Sequence, residues 1–361
     1  MGQALSGQKP PATAALLQPA VTGDLDSIKS AVLTYKQSLE SGSTRGAIEE
    51  AVSVYVNRQD TAGNAALHGA CFGGHTEVVK YLYEGAACSL FLSNEIGCNA
   101  VFLAAGYGHV GLLEYLLKAI QTEESRTGMS VRSQTVACNS TGDNALIAAA
   151  SRGHTKVVDL LLSSLKGDLE LSSVLNSRNK GGDTPLSVAV AAGHHETVAL
   201  IAEQPGILID SINNTQLTPL LVACERGQVD ILKTLLSANA DCTLVDANGA
   251  SPLMIGVFCG HESVLCELLQ WSKTHESATE TADAGGDSVG RDHQVDLVNK
   301  PDAQSVSPLW IAAKNGNLSM VKALVAAGAD VAHISADGTK ALDIARKQGK
   351  ADIVEYLESQ A

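Results

Sequence analysis

"GDTPLSVAVAAGHHETVALIAEQ", Gly182 to Gln204, carries the start and stop signals of a helical hairpin. Thr184 can accept a hydrogen bond from the first turn of a helix, and Pro185 occupies that turn, where its missing N–H costs nothing. Leu186, Ala189 and Val190 then fall on one helical face. Gly193 ends the helix, because glycine enters the left-handed cap conformation without a Cβ penalty. In the equivalent stretch from 75 to 83, Val78, Val79 and Leu82 form the apolar stripe of a second helix. A pair of helices this short cannot bury its apolar face alone, so it needs neighbours of the same kind.

The chain supplies them. The glycine that closes the first helix recurs at Gly74, Gly108, Gly153, Gly193, Gly227, Gly260, Gly316 and Gly349, in steps of 34, 45, 40, 34, 33, 56 and 33 residues. A degenerate copy, "LLQPAVTGDLDSIKSAV", places Gly23 in the same role, which makes nine units. The longer steps read as a 33-residue period with insertions. Counting the interval after Gly23, these add 18, 12, 7 and 23 residues. The first contains "AIEEAVSVYV", whose spacing predicts a short extra helix. The last includes "SKTHESATETADAGGDSVGRDHQVD"; it is polar and acidic, so residues 272–298 are expected to be a mobile loop. The others lie around "TEESRTGMSVRSQ" and "KGDLELSSV" and are expected to be surface decoration, because lengthening a loop costs little.

The 33-residue period and the segments "TPLSVAV", "TPLLVAC", "SPLMIGV" and "SPLWIAA" resemble the ankyrin repeat family, whose signature is Thr-Pro-Leu-His-x-Ala. "AALHGA" keeps the histidine, His68, and lacks Thr-Pro. The resemblance covers residues 15–361. It implies an all-α repeat solenoid of helix–turn–helix units with short hairpin-like finger loops. Polar residues on the terminal units, such as Asp24 and Lys29 at one end and Lys340, Asp343 and Arg346 at the other, suit caps with no neighbour to pack on.

Composition agrees with such a core. Apolar residues make up 45% of the chain and aromatics only 4%, so Ala, Leu, Val and Ile must fill the interior. The net charge of −14 gives no general attraction to nucleic acid or to an anionic membrane. The eight cysteines contain no Cys-x-x-Cys pair and mostly lie in apolar stretches, as reduced core residues would. No phosphate-cradling loop, serine nucleophile elbow or His-Glu-x-x-His zinc motif is present. His75, His109, His154, His194 and His261 each follow the helix-closing glycine, and this periodic placement makes them structural. No catalytic residue, metal ligand or cofactor is expected, and the chain is read as a non-enzyme and a monomer.

In ankyrin-like proteins, partners usually contact the finger loops and the two residues before the Gly-His step, on a concave face. The resemblance therefore points to Phe72, Tyr107, Arg152, Glu225, Arg226, Phe258 and Lys314, with Trp310 in the slot of the signature histidine. Aromatic and arginine side chains are enriched at interface hot spots, so this set predicts a surface for a protein partner. The expected function is a protein-interaction scaffold or adaptor. A regulatory or inhibitory subunit of one cytosolic enzyme would use the same surface and stays open.

The N-terminal "MGQALS" adds a location. Gly2 and Ser6 satisfy the pattern for N-myristoylation, and residues 1–14, with Pro10 and Pro11, read as a flexible arm. One acyl chain gives marginal, reversible membrane binding. The expectation is a cytoplasmic protein in peripheral contact with the cytoplasmic face of a membrane.

Overall fold

A computed structural model describes residues 14–40, 44–165, 171–280 and 297–360. They form two compact units, divided after Lys180. Both are helical, and beyond an isolated bridge between Ser93 and Asn99 the described residues contain no β-pairing.

The first unit holds four helix pairs. These are α1 (Ala14–Thr22) with α2 (Leu25–Leu39), α4 (Ala66–Gly73) with α5 (Thr76–Lys80), α6 (Ala100–Gly106) with α7 (Val110–Thr127), and α9 (Ala145–Ala150) with α10 (Thr155–Ser164). A π-helical turn, Tyr81–Gly85, follows α5 directly. Three further helices, α3 (Arg45–Val56), α8 (Val131–Val136) and α11 (Leu171–Leu175), lie between pairs. First helices stack on first helices, α1 on α4, α4 on α6 and α6 on α9, while α2, α5, α7 and α10 stack in a second row.

The second unit holds five pairs. They are α12 (Pro185–Ala192) with α13 (His195–Ala202), α14 (Pro219–Glu225) with α15 (Val229–Ser237), α16 (Pro252–Phe258) with α17 (Glu262–Glu280), α18 (Pro308–Asn315) with α19 (Leu318–Ala326), and α20 (Ala341–Lys347) with α21 (Ala351–Glu358). The same two-row stacking runs from α12 to α20 and from α13 to α21.

Local sequence explains these helices. Thr184, Thr218, Ser251 and Ser307 cap α12, α14, α16 and α18 through their side-chain oxygens, each followed by proline. Asn99 and Asn144 cap α6 and α9 instead. An asparagine accepts the cap bond on Oδ1 and keeps its amide donor on a separate atom, Nδ2, and here that donor is used. Asn99 Nδ2 donates to Gln134 O at 2.9 Å, and Asn144 Nδ2 donates to Ser177 Oγ at 2.7 Å. Both partners lie on the chain returning from an insertion, so the cap also pins the insertion in place.

The core is aliphatic, as composition requires; Tyr55 is the one aromatic residue buried among the described residues. The insertions depart from loops. "AIEEAVSVYV" lies within α3, where Tyr55 stacks on Tyr35 of α2 at 4.3 Å. "TEESRT" extends α7 to Thr127, and Gly128 ends it with φ +70°. Within the segment expected to be a mobile loop, residues 272–280 continue α17, Leu297 and Val298 are buried, and residues 281–296 lie outside the described residues. The helix persists because nothing from Ser272 to Glu280 is a glycine or proline that would break it.

Candidate protein-interaction face

Within each unit the first helices end in the two residues before the closing glycine, and the geometry there begins with the histidine after that glycine. His75, His109 and His154 stand at the N-caps of α5, α7 and α10. Their rings reach back one repeat. His75 Nε2 donates to Val21 O at 2.9 Å, His109 Nε2 to Phe72 O at 2.9 Å, and His154 Nε2 to Gly106 O at 3.2 Å. A carbonyl only accepts, so Nε2 carries the ring proton in each. In the second unit His261 makes the same bond to Glu225 O at 2.9 Å. The histidines are therefore inter-repeat clamps holding the C-terminal carbonyl of the preceding first helix.

A repeat without the histidine shows what the clamp requires. At Gly316 the histidine is replaced by Asn317, and Asn315, before the glycine, donates instead to Phe258 O at 3.1 Å. The same class of carbonyl is satisfied from the other side of the glycine.

This clamp fixes where the expected contact residues stand. Phe72 and Tyr107 are 47% and 40% exposed, and their rings meet edge-to-face with centroids 4.5 Å apart. The Arg152 guanidinium lies over the Tyr107 ring, 4.7 Å from its centroid, and its NH1 donates to Gly106 O. Three residues from three successive repeats thus form one ladder, each rung worth about 0.5–1.5 kcal/mol beyond the area it buries.

In the second unit Phe258 is 69% exposed at the end of α16, and Glu225 and Arg226 are exposed at the end of α14. Trp310 is half-buried: its Nε1 donates to Thr339 Oγ1 at 3.0 Å, and Lys314 Nζ sits 5.1 Å from its ring centroid. Trp310 is therefore partly a brace to the last repeat, and Lys314 is held against it. Arg152 belongs to the ladder of the first unit, whereas Glu225 and Arg226 belong to the second. Gly2 lies outside the described residues.

The finger loops beside these helices are rigidly tied. Asp60, Asn139, Asn213, Asp246 and Asp302 each accept two backbone N–H groups of their own turn. Backbone bonds then join finger to finger: Glu95 N to Ala62 O at 3.1 Å, Ser140 N to Ile96 O at 2.7 Å, and Lys180 N to Thr141 O at 3.0 Å in the first unit. Ala303 N to Asn248 O and Ala336 N to Gln304 O, both 3.0 Å, do so in the second.

Polar bonds also brace the second-helix row. Tyr83 donates to Glu123 at 2.7 Å and Tyr115 to Glu84 at 2.8 Å, bracing the second-helix row across repeats. Burial pushes the thiols of Cys71 and Cys224 far up, Cys88 to about 12 and Cys242 to about 11, so none is a ready nucleophile. Among the described residues no group of three or more His, Cys, Asp or Glu side chains converges on a metal position. No helix of the described residues is long and apolar enough to cross a membrane.

Comparison with known proteins agrees with this geometry. The family model for ankyrin repeats matches residues 39–127, 127–213, 206–279 and 289–361. The chain belongs to the ankyrin repeat family. Ankyrin repeats mark it as a protein-interaction domain. The match begins at the last residue of α2, so α1 and nearly all of α2 form a further helix pair ahead of it. A probable E3 ubiquitin-protein ligase, XBOS32, from Oryza sativa subsp. japonica is 29% identical over 174 residues, covering 45% of this chain and 34% of the relative. The tyrosine-protein kinase HTK16 of Hydra vulgaris is 28% identical over 182 residues, covering 50% and 21%. Ankyrin repeat domain-containing protein 63 of Homo sapiens is 36% identical over 97 residues, covering 26% and 25%. The chain thus spans about a third or less of the length of these relatives.

Proposed function

We propose that this chain is a non-enzymatic adaptor that binds a protein partner through the first-helix and finger face of its repeats. The observation that carries this reading is the ladder of Phe72, Tyr107 and Arg152. In a chain with 4% aromatics and an aliphatic core, two aromatic rings stand half-exposed on the face where partners bind to such repeats. Phe258, Glu225, Arg226 and the Trp310–Lys314 pair supply the corresponding positions in the second unit. The relatives named as a ligase and a kinase are matched over a minority of their length, so their activities are not carried over.

The second part of the proposal is a reversible tether. Myristoylation of Gly2 would add one weak membrane signal, and the partner would supply the remaining affinity. The tether is tested by fractionating the wild type beside Gly2→Ala. Partial pelleting of the wild type with membranes, lost in the variant, supports it; identical soluble behaviour removes it. The adaptor reading is tested by co-purification with Phe72→Ala/Tyr107→Ala, whose partner should be depleted while the helical signal is unchanged. A partner retained at full yield overturns it.

A further inference from the structure

Arg152 is seated more deliberately than an exposed arginine needs to be. Its NH1 donates to Gly106 O, and the guanidinium lies on the Tyr107 ring at 4.7 Å. Gly106 is the last residue of α6, where a glycine in place of alanine costs about 1 kcal/mol. Its backbone has no positive φ that would call for glycine. Space does: a Cβ at Gly106 would lie 2.9 Å from Arg152 NH1 and 3.4 Å from Ala148 Cβ. The missing side chain is the cradle in which the guanidinium rests.

Held in this way, the guanidinium has spent one N–H on Gly106, and the rest of its fork belongs to an exposed residue. Among the described residues Arg152 makes no ion pair. Asp143, which like Arg152 acts electrostatically on Cys98, has both oxygens committed, Oδ1 to Asn179 Nδ2 at 2.9 Å and Oδ2 to Thr141 Oγ1 at 2.6 Å. A planar, preorganised fork with unused donors is built for a carboxylate, which it binds in a bidentate, charge-assisted pair. Next to it stand the exposed parts of Tyr107 and Phe72, an apolar shelf 4.5 Å from ring to ring.

We infer that this seat receives an Asp or Glu side chain from an extended segment of the partner, with an apolar side chain two residues along lying on Tyr107 and Phe72. The inference rests on the adaptor reading and names the chemistry of its partner. Spacing supports it. In an extended strand, residues i and i+2 face the same way roughly 6.5–7 Å apart, which suits one side chain over the Arg152 fork and the other over the adjoining rings. Charge supports it too: the one cation in the ladder forms no ion pair among the described residues.

The test pans a random dodecapeptide library, displayed through its C-terminus, on the intact chain. Recovered peptides are synthesised and measured by fluorescence polarisation. Acidic-x-apolar sequences should dominate. Arg152→Gln and Phe72→Ala should each weaken them by about tenfold or more, and Arg152→Lys, which keeps the charge and loses the fork, by less than Arg152→Gln. A peptide with lysine in place of its acidic residue should bind Arg152→Glu better than it binds the wild type. Circular dichroism of each variant controls for folding. Peptides that respond to Phe72→Ala but not to Arg152→Gln overturn the carboxylate seat and leave the interaction face standing. Peptides indifferent to both changes, or a library yielding none, overturn the seat and the face together.

Discussion

Gly74→Ala should destabilise the first unit by more than a left-handed alanine alone accounts for, because the histidine clamp of the next repeat occupies the space a Cβ needs. Gly74 has φ +74°, and a Cβ there would lie 2.5 Å from His109 Nδ1 and 2.8 Å from its Cγ. Gly128, in the same unit, has φ +70° and nothing within 4 Å of the same position. Both replacements incur the left-handed cost of about 1–2 kcal/mol. Only Gly74→Ala also expels the His109 ring and breaks its 2.9 Å bond to Phe72 O, a further loss of about 1 kcal/mol. His109→Ala alone should cost about 1 kcal/mol for the same bond. The double variant Gly74→Ala/His109→Ala should then fall short of the sum of the singles by about 1 kcal/mol, the coupling expected of groups in contact. Because the chain divides into two compact units, the assay is urea unfolding followed by hydrogen exchange resolved on peptides covering 66–127. Equal costs at Gly74 and Gly128, together with additive behaviour of the Gly74 and His109 changes, would refute the clamp.

Three other outcomes follow from the same packing. Gln228 stands where other repeats place the clamp histidine, and its Oε1 is buried without a partner; Gln228→His should raise stability by about 1 kcal/mol, read as a higher urea midpoint at unchanged m. Burial holds His68 below its ordinary value, against the opposing pull of the Leu92 and Cys98 carbonyls and the Asp60 charge. The unfolded chain therefore takes up that proton first, and stability present above about pH 6.5 is lost as pH falls below it. His68→Leu should be less stable at pH 7.5, having lost the acceptor for Ala65 N–H, yet should show a flatter decline between about pH 6.5 and 5.5, measured by urea midpoints across that range. A maleimide should label Cys138, Cys259 and Cys266 in the native protein and leave Cys71, Cys88, Cys98, Cys224 and Cys242 protected until unfolding, as counted by intact mass.

The repeat was legible because its signals are local. Thr184, Pro185 and Gly193 act within one helix, and the structure places a side-chain cap at the first, N1 proline at the second and a left-handed glycine at the third. What joins one repeat to the next was not legible. Arg152 meets Gly106 across 46 residues, and Tyr83 meets Glu123 across 40. Those separations contain insertions of unequal length, so no fixed offset reveals them. The histidines were recognised as structural from their spacing, but the carbonyl each one holds belongs to the preceding repeat and leaves no mark in the histidine's own segment. Insertions were misjudged where polar residues were equated with loops. Glu123, Glu124 and Arg126 are good helix formers, and α7 simply continues through them to bring Glu123 to Tyr83. The exposed aromatic pair was found from its position alone; that it forms a ladder with Arg152 needed the three repeats in register.

Hydroxyl-radical footprinting of the chain with and without its isolated partner tests the interaction face most directly, because aromatic side chains report their own accessibility. The account predicts that oxidation of Phe72 and Tyr107 falls on binding, while Met129 and Val54, exposed away from the first-helix ladder, are unchanged. Protection confined to Met129, Val54 or the second-helix row, with Phe72 and Tyr107 still fully reactive in the complex, would contradict it.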